Sequence, residues 1–401
     1  MIAQSRFFSL TKKVFSLTLL SWMLLLTASC RPAPLAVPTP IVTTAPTVEL
    51  TSPPSPTTKA AVATPLPSTL APTTVTASTT APAPTESFGD SATSNDVPPC
   101  FATYNQPIGY LPDGNRIAIR GDNGVQIFNL QTMKEESFIQ TPENSIVTAL
   151  ALSPNGKIIA WALQDNTIQL VQVSDKKLLH TLSGHTDWIG KLRFSPSGDR
   201  LYSASHDTWV RVWDLNGNQL GSFQVIGAGG WPDQVLGIGI SPDGKTVSTI
   251  PFDGPVDLWD AENFQLIKAL GGSAGFDTSD IVFSPDGQFI AADTATGLFL
   301  WKTLDGTQLL GGNPGINSMA VAFSPDGKYL AYSDIGENSE IVLSSPDGSE
   351  QIRTLEGQLS PIGDLIFSPD GSTLLSSDWV EIRVWRVEDG KLMAVGKSAC
   401  P

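Results

Sequence analysis

The chain has 401 residues and a formal net charge of −15 at pH 7, from 24 Lys and Arg against 39 Asp and Glu. So acidic a balance excludes a surface built for nucleic acid, which needs clustered basic residues, and disfavours direct adhesion to anionic lipid. Three cysteines and three histidines leave little material for a metal centre or a disulfide-dense scaffold.

The first 30 residues, MIAQSRFFSLTKKVFSLTLLSWMLLLTASC, open with Arg6, Lys12 and Lys13 and continue in an uncharged, mostly apolar run of 14 residues, Val14 to Thr27. That run is short for a bilayer span and suits the apolar region of a secretory signal. Its end, LTASC, resembles the lipobox of bacterial lipoproteins, with Ala28 and Ser29 before the cysteine and Thr27 where that family most often has Leu. The resemblance implies a lipoprotein signal peptide over residues 1–29, lipidation at Cys30, and an exported, membrane-anchored protein at the cell surface or in the periplasm. A conventionally cleaved signal and an uncleaved anchor helix are the alternatives.

Residues 30–99 read as a tether. Positions 31–99 hold 15 Pro and 16 Thr, with Phe88 their only aromatic residue. Such a stretch buries too little apolar surface to offset its ordering entropy, so it is expected to be disordered. Fully extended it reaches roughly 200 Å, and as a coil roughly 50 Å.

Residues 100–401 repeat. A turn follows an apolar strand at YLPDG (110–114), LSPNG (152–156), FSPSG (194–198), ISPDG (240–244) and three times as FSPDG (283–287, 323–327, 367–371). The turn glycines are spaced by 42, 42, 46, 43, 40 and 44 residues. Pro presets φ, Asp or Asn supports the turn through its side chain, and Gly takes a positive φ. Each turn leads into a short apolar strand such as RLYSAS, a strand with period-two alternation such as WVRVWD, and a last short strand such as QLIKAL. Four short strands per 40–46 residues are the pattern of a propeller blade. The expected fold is therefore an all-β, seven-bladed β-propeller, large enough to bury roughly three-quarters of its unfolded surface.

The third repeat, GHTDWIGKLRFSPSGDRLYSASHDTWVRVWD (184–214), resembles the WD-repeat family, with Gly184-His185 opening it and Trp213-Asp214 closing it. The resemblance implies a structural hydrogen-bond relay of His185, Ser203 or Ser205, Asp207 and Trp213. Trp259, Trp301 and Trp385 keep the tryptophan, whereas blades one, two and six have Phe128, Val171 and Ser344 in its place. Six blades thus lack the full relay and are expected to rely more on apolar packing. Blade six is also similar to the Tol-system periplasmic propellers.

Blade one begins near Gln106 and blade seven ends with KLMAVG, 391–396, so each blade takes its four strands from one stretch of chain. Cys100 and Cys400 fall where a connection across the seam would run, and are expected to form a disulfide there. In the chain-entropy model a loop that long is stabilised by roughly 5–6 kcal/mol, and an exported protein meets the oxidising conditions it needs. CFATYN added as an extra strand of blade seven is the alternative closure.

No catalytic constellation stands out. His180, His185 and His206 lack metal-ligand spacing, and Ser205, His206 and Asp207 are adjacent residues that point to different faces, unlike a triad. No cofactor is expected, and no enzymatic activity. The inner strands read as apolar and small, with Asp280 and Asp364 as exceptions. Trp188, Trp209, Trp231, Phe276 and Trp379 fall in loops of one face, the top, and are the candidate binding residues. The sequence thus suggests a monomeric, membrane-tethered platform for a protein or peptide, with carbohydrate binding and then a propeller hydrolase as alternatives. A propeller charge of −16 leaves no role for nucleic acid.

Overall fold

The computed structural model describes residues 106–397, apart from 122, 133, 144, 272–279, 295–296, 312–319, 335–338, 358–360 and 379–380. The expected Cys30 anchor, the Cys100–Cys400 disulfide, Phe276 and Trp379 lie outside the described residues.

Among the described residues seven four-stranded antiparallel sheets account for all the strands, and each is made of four consecutive strands in simple meander order. The inner strands are Gln106–Tyr110, Val147–Leu152, Ile189–Phe194, Val235–Ile240, Ile281–Phe283, Val321–Phe323 and Asp364–Phe367. They lie side by side around one axis, and that of blade seven returns to that of blade one. The fold is a closed seven-bladed propeller in which no strand among the described residues is exchanged across the seam.

The turn that marks each repeat is built as its residue types require. Gly114, Gly156, Gly198, Gly244, Gly287, Gly327 and Gly371 all have φ between 66° and 74°, a region that penalises a Cβ. The serine before the proline adds a bond not read from the sequence. Ser241 Oγ donates to Asp243 Oδ1 at 2.7 Å and accepts from Thr246 N at 2.8 Å, and the pattern recurs at Ser153, Ser195, Ser284, Ser324 and Ser368. The same chemistry appears once elsewhere: SPDG at 345–348 joins the third and fourth strands of blade six, with Ser345 Oγ donating to Asp347 Oδ1 at 2.6 Å. The motif therefore encodes a turn rather than a blade boundary.

The core lies between blades. The described residues form seven apolar clusters, each made by two neighbouring blades. At the seam, Ile117, Ile119 and Phe128 of blade one pack on Leu375 and Ile382 of blade seven. Tyr110 Oη lies 3.1 Å from Thr373 Oγ1 across the same seam, and burial pushes its phenol up to about 12, so it stays a neutral hydrogen-bonding group.

The third strand of each blade carries one position that sets the packing. Trp213 faces Leu201 in the register, and its Nε1 donates at 2.9 Å to Ser203 Oγ, two residues along on the same face. Ser203 Oγ in turn lies 2.7 Å from His185 Nε2, and His185 Nδ1 lies 2.8 Å from Asp207 Oδ2. The chain of donors assigns Nδ1–H to the Asp207 side and leaves Nε2 to accept from serine. Burial alone would raise Asp207, but the bonds from His185 and the Thr186 N–H outweigh it and hold its carboxyl below the usual range. Ser205 stands outside the relay; its Oγ donates to Asp187 O at 3.0 Å and accepts from Asp207 N, fixing the turn.

Blades four and seven keep the tryptophan–hydroxyl half of this arrangement, with Trp259 Nε1 on Thr249 Oγ1 and Trp385 Nε1 on Ser376 Oγ, both at 2.8 Å. In blade five Trp301 pairs with Ile290, so Ala292 stands where the serine would be, and Trp301 Nε1 is buried without a partner. Where the tryptophan is missing, the partner position is large: Ile119 beside Phe128, Trp161 beside Val171 and Tyr332 beside Ser344. A large side chain is thus paired with a small one, or two of intermediate size together, which keeps the layer near native density.

These contacts set opposite expectations for two substitutions. Ser203→Ala orphans Trp213 Nε1 and His185 and should lower stability by about 2–3 kcal/mol, whereas Ala292→Ser supplies the missing acceptor for Trp301 and should raise it by about 1 kcal/mol. Urea unfolding of the two variants with unchanged slope measures both, and a neutral Ala292→Ser would contradict the assignment. A second expectation concerns Asp257, buried in the third strand of blade four, whose pKa burial raises to about 6. A carboxyl raised on folding stabilises below its unfolded value of 3.8 and loses that contribution as pH rises toward about 6. Asp257→Asn should therefore flatten the pH dependence of stability in that window and gain on the order of 1–3 kcal/mol at pH 7, read from melting temperatures across pH 4–7.

Candidate functional site

Two features face outward from this scaffold at its top: the loops of blades one to four, and the upper end of the central channel.

Successive strands are antiparallel, so the crossings between blades and the loops between second and third strands emerge on the face opposite the marker turns. Trp188 sits in the crossing into blade three, 42% exposed, with its carbonyl held by His206 N at 2.9 Å. Trp231 sits in the crossing into blade four and is 77% exposed. Its backbone is nonetheless fixed. Ile226 bridges Pro232, Gly227 N donates to Trp231 O at 2.9 Å, and Gly230, with φ of 75°, closes the turn onto Gly227 O.

This small hairpin is tied to blade four. The Asp233 carboxylate accepts from Asp253 N at 2.6 Å and Ala228 N donates to Asp253 O at 2.7 Å. A Cβ on Gly227 would come within 2.6 Å of Asp253 O, so glycine is what lets the two loops touch. Trp209 differs: it is the first residue of a strand, paired with Gln224 and half-buried. Exposed Ile146 and Ile226, in the crossings into blades two and four, extend the apolar sector. Neither was read from the sequence, because a lone Ile beside a strand does not separate itself from the core pattern.

The channel corrects the sequence reading that its lining is apolar and small. A cavity of about 220 Å³ at its upper end is lined by Arg120, Lys191, Arg193, Asp280 and Asp364 among smaller residues. Lys191 and Arg193 alternate with buried Leu192 along the inner strand of blade three, so both point to the axis. Arg120 comes from the second strand of blade one and donates to Val147 O in blade two. Arg193 forms an ion pair with Asp280; both lie within the ring yet keep 38% and 30% of their side-chain surface wet through the channel. The Asp280 charge raises the Arg193 pKa further. Asp364 accepts from Ser377 Oγ at 3.1 Å; burial raises its pKa, against the pull of Lys191.

No group of three or more His, Cys, Asp or Glu side chains among the described residues could hold a metal ion. Ser205, His206 and Asp207 do not form a nucleophile–base pair: Asp207 Oδ2 is occupied by His185 and Thr186, and Ser205 by backbone.

The family model for the WD domain, G-beta repeat, matches residues 176–214 and 349–386. These are segments of blades two to three and six to seven, and in both the tryptophan donates to a serine. Curated relatives share the same character. The chain is 25% identical over 205 residues to the COMPASS component SWD3 of Saccharomyces cerevisiae, covering 49% of this chain and 63% of that protein. It is 31% identical over 147 residues to an uncharacterized WD repeat-containing protein of Synechocystis, covering 36% of this chain and 40% of the relative. It is 28% identical over 131 residues to the small ribosomal subunit protein RACK1 of Neurospora crassa, covering 32% and 40%. The chain spans less than two-thirds of each of these relatives. Repeat chemistry, ring closure and these matches agree that the chain carries WD40 repeats on a seven-bladed β-propeller.

Proposed function

We propose that the protein is a non-catalytic, lipid-anchored extracytoplasmic scaffold that binds a protein partner on its top face, through the sector of Trp188 and Trp231 with Ile146 and Ile226. The observation that carries this reading is Trp231, 77% exposed on a hairpin whose backbone is pinned to blade four. A large aromatic held out on an ordered loop loses little conformational freedom when it is covered, and such residues dominate binding energies. Two of the relatives are named as a COMPASS component and a ribosomal subunit protein, that is, as parts of assemblies. Tethering rests on the leader and the LTASC sequence, with residues 30–99 as the stalk.

Cross-linking and affinity capture of the full chain from its own membranes tests the face. Trp231→Ala and Trp188→Ala should each weaken capture of the principal partner by about tenfold or more while the melting temperature holds. Retention of full binding by the folded double variant would remove the face, and selective capture of glycans on an array would move the reading to carbohydrate. The anchor has its own test: Cys30→Ala should abolish labelling by a clickable fatty acid and release the protein from the membrane fraction. Non-reducing digestion should link the Cys100 and Cys400 peptides; two alkylatable thiols in the native protein would contradict the closure.

A further inference from the structure

The charges of the propeller are divided between its two faces. By sequence, the crossings into blades two to seven (141–146, 183–188, 225–234, 270–280, 311–320 and 356–363) contain no Lys or Arg, and neither do the loops between second and third strands. The turns of the opposite face hold Lys157, Lys176, Lys177, Lys245, Lys328 and Lys391. Arg120, Lys191 and Arg193, which line the upper channel, stand on strands rather than loops.

Carboxylates do populate the top face, and they stand beside its apolar side chains. In the crossing into blade two, exposed Glu143 accompanies exposed Ile146. Ile146 O accepts from Gln164 N at 3.0 Å, which joins this crossing to the loop that bears exposed Asp165. In the crossing into blade three, exposed Asp187 precedes Trp188 and accepts its N–H at 2.7 Å. In the crossing into blade four, the Trp231 hairpin is bonded to the loop that bears exposed Asp253. Three successive blades thus repeat one arrangement, a projecting apolar residue on a fixed backbone with a carboxylate near it. Among the described residues none of Glu143, Asp165, Asp187 and Asp253 enters an ion pair.

Such a surface selects its partner by charge. An acidic segment is repelled, and a neutral one covers the carboxylates without supplying a counter-charge. A basic segment satisfies both halves of the arrangement. A guanidinium pairs with a carboxylate through its edge and stacks on an indole through its plane. We propose, on the reading that this face binds a protein, that the partner presents a basic segment interspersed with aliphatic residues. Its Arg or Lys side chains lie on Trp188 and Trp231 and pair with Asp187 and Asp253, and its aliphatic side chains cover Ile146 and Ile226. The chain's net charge of −15 also draws such a segment in from a distance at low salt.

Selection of a random peptide display library on the full chain tests the charge assignment. Enriched peptides should combine Arg or Lys with aliphatic residues, bind more weakly as salt rises, and lose about tenfold or more in affinity on Trp231→Ala. At low salt, Asp187→Asn combined with Asp253→Asn should weaken them by about tenfold. Glu262→Gln combined with Glu350→Gln removes two exposed charges from turns of the opposite face and should leave them unchanged. All four side chains are exposed, so the melting temperatures should hold. Selection of no peptide, a neutral or acidic consensus, or equal weakening by the two pairs of substitutions would overturn the proposal. Equal weakening marks unspecific attraction to an acidic protein. Loss of the membrane partner on Trp231→Ala beside a neutral consensus keeps the face and removes the charge assignment, so the two fail separately.

Discussion

Ring closure is the constraint on which the rest of this molecule depends. A single four-stranded blade has two apolar faces and cannot cover either one, so each finds its cover only in the next blade. The described residues divide their core accordingly, into one apolar cluster per blade interface, including the seam between the first and last blades. Among the described residues that seam is made without a shared strand. It relies on Ile117, Ile119 and Phe128 meeting Leu375 and Ile382, with the Tyr110–Thr373 contact at its lower end. Among the described residues, the interface that must form last in the chain order is thus held by side chains. A covalent link between the chain ends would act where the loop to be closed is longest and the entropic gain greatest.

The same constraint explains why the blades tolerate so much divergence in sequence. What an interface requires is volume, and the paired positions on second and third strands supply it in several ways: Trp with Ser, Thr or Ala, and Phe with Ile, Val with Trp, Ser with Tyr. Hydrogen bonding refines this arrangement where it can. In blade three the relay joins Trp213, Ser203, His185 and Asp207 in one chain of hydrogen bonds, and in blade five Ala292 leaves Trp301 Nε1 without an acceptor. The cost of one buried orphan is modest beside the apolar area that surrounds it, so the fold survives the lapse.

Much of this was legible in the sequence because it is periodic. The turn glycines set the blade count and placed the inner strand of blade one at Gln106, where the structure begins it. The terminal strand fell at 391–396 by sequence and at Leu392–Lys397 in space, within the looseness of any strand end. SPDG at 345–348 marks where periodicity misleads, since the motif records the local chemistry of a turn and not its place in a blade. The site was less legible for a related reason. Period-two alternation in GKLRF puts Lys191 and Arg193 on the axis, but the inner strands taken together read as apolar, and the average hid the exception. Arg120 could not have been assigned at all, because it reaches the channel from a second strand, across a blade boundary. Trp209 shows the reverse error: a residue placed in a loop by pattern is half-buried at the head of a strand.

The two outward features also differ in how they are supported, and that difference bears on what each can do. The Trp231 hairpin is held by backbone bonds to a neighbouring blade, yet its ring projects into solvent, so a partner can cover it without moving the propeller. Lys191 and Arg193 are held by a strand that also forms a blade interface: Leu192, between them, belongs to the cluster joining blades two and three. Any displacement of Lys191 or Arg193 therefore pulls on the packing that closes the ring. Because packed interfaces are stiff, a change at Lys191 or Arg193 bears on the closure of the ring, whereas a change at the projecting ring of Trp231 does not.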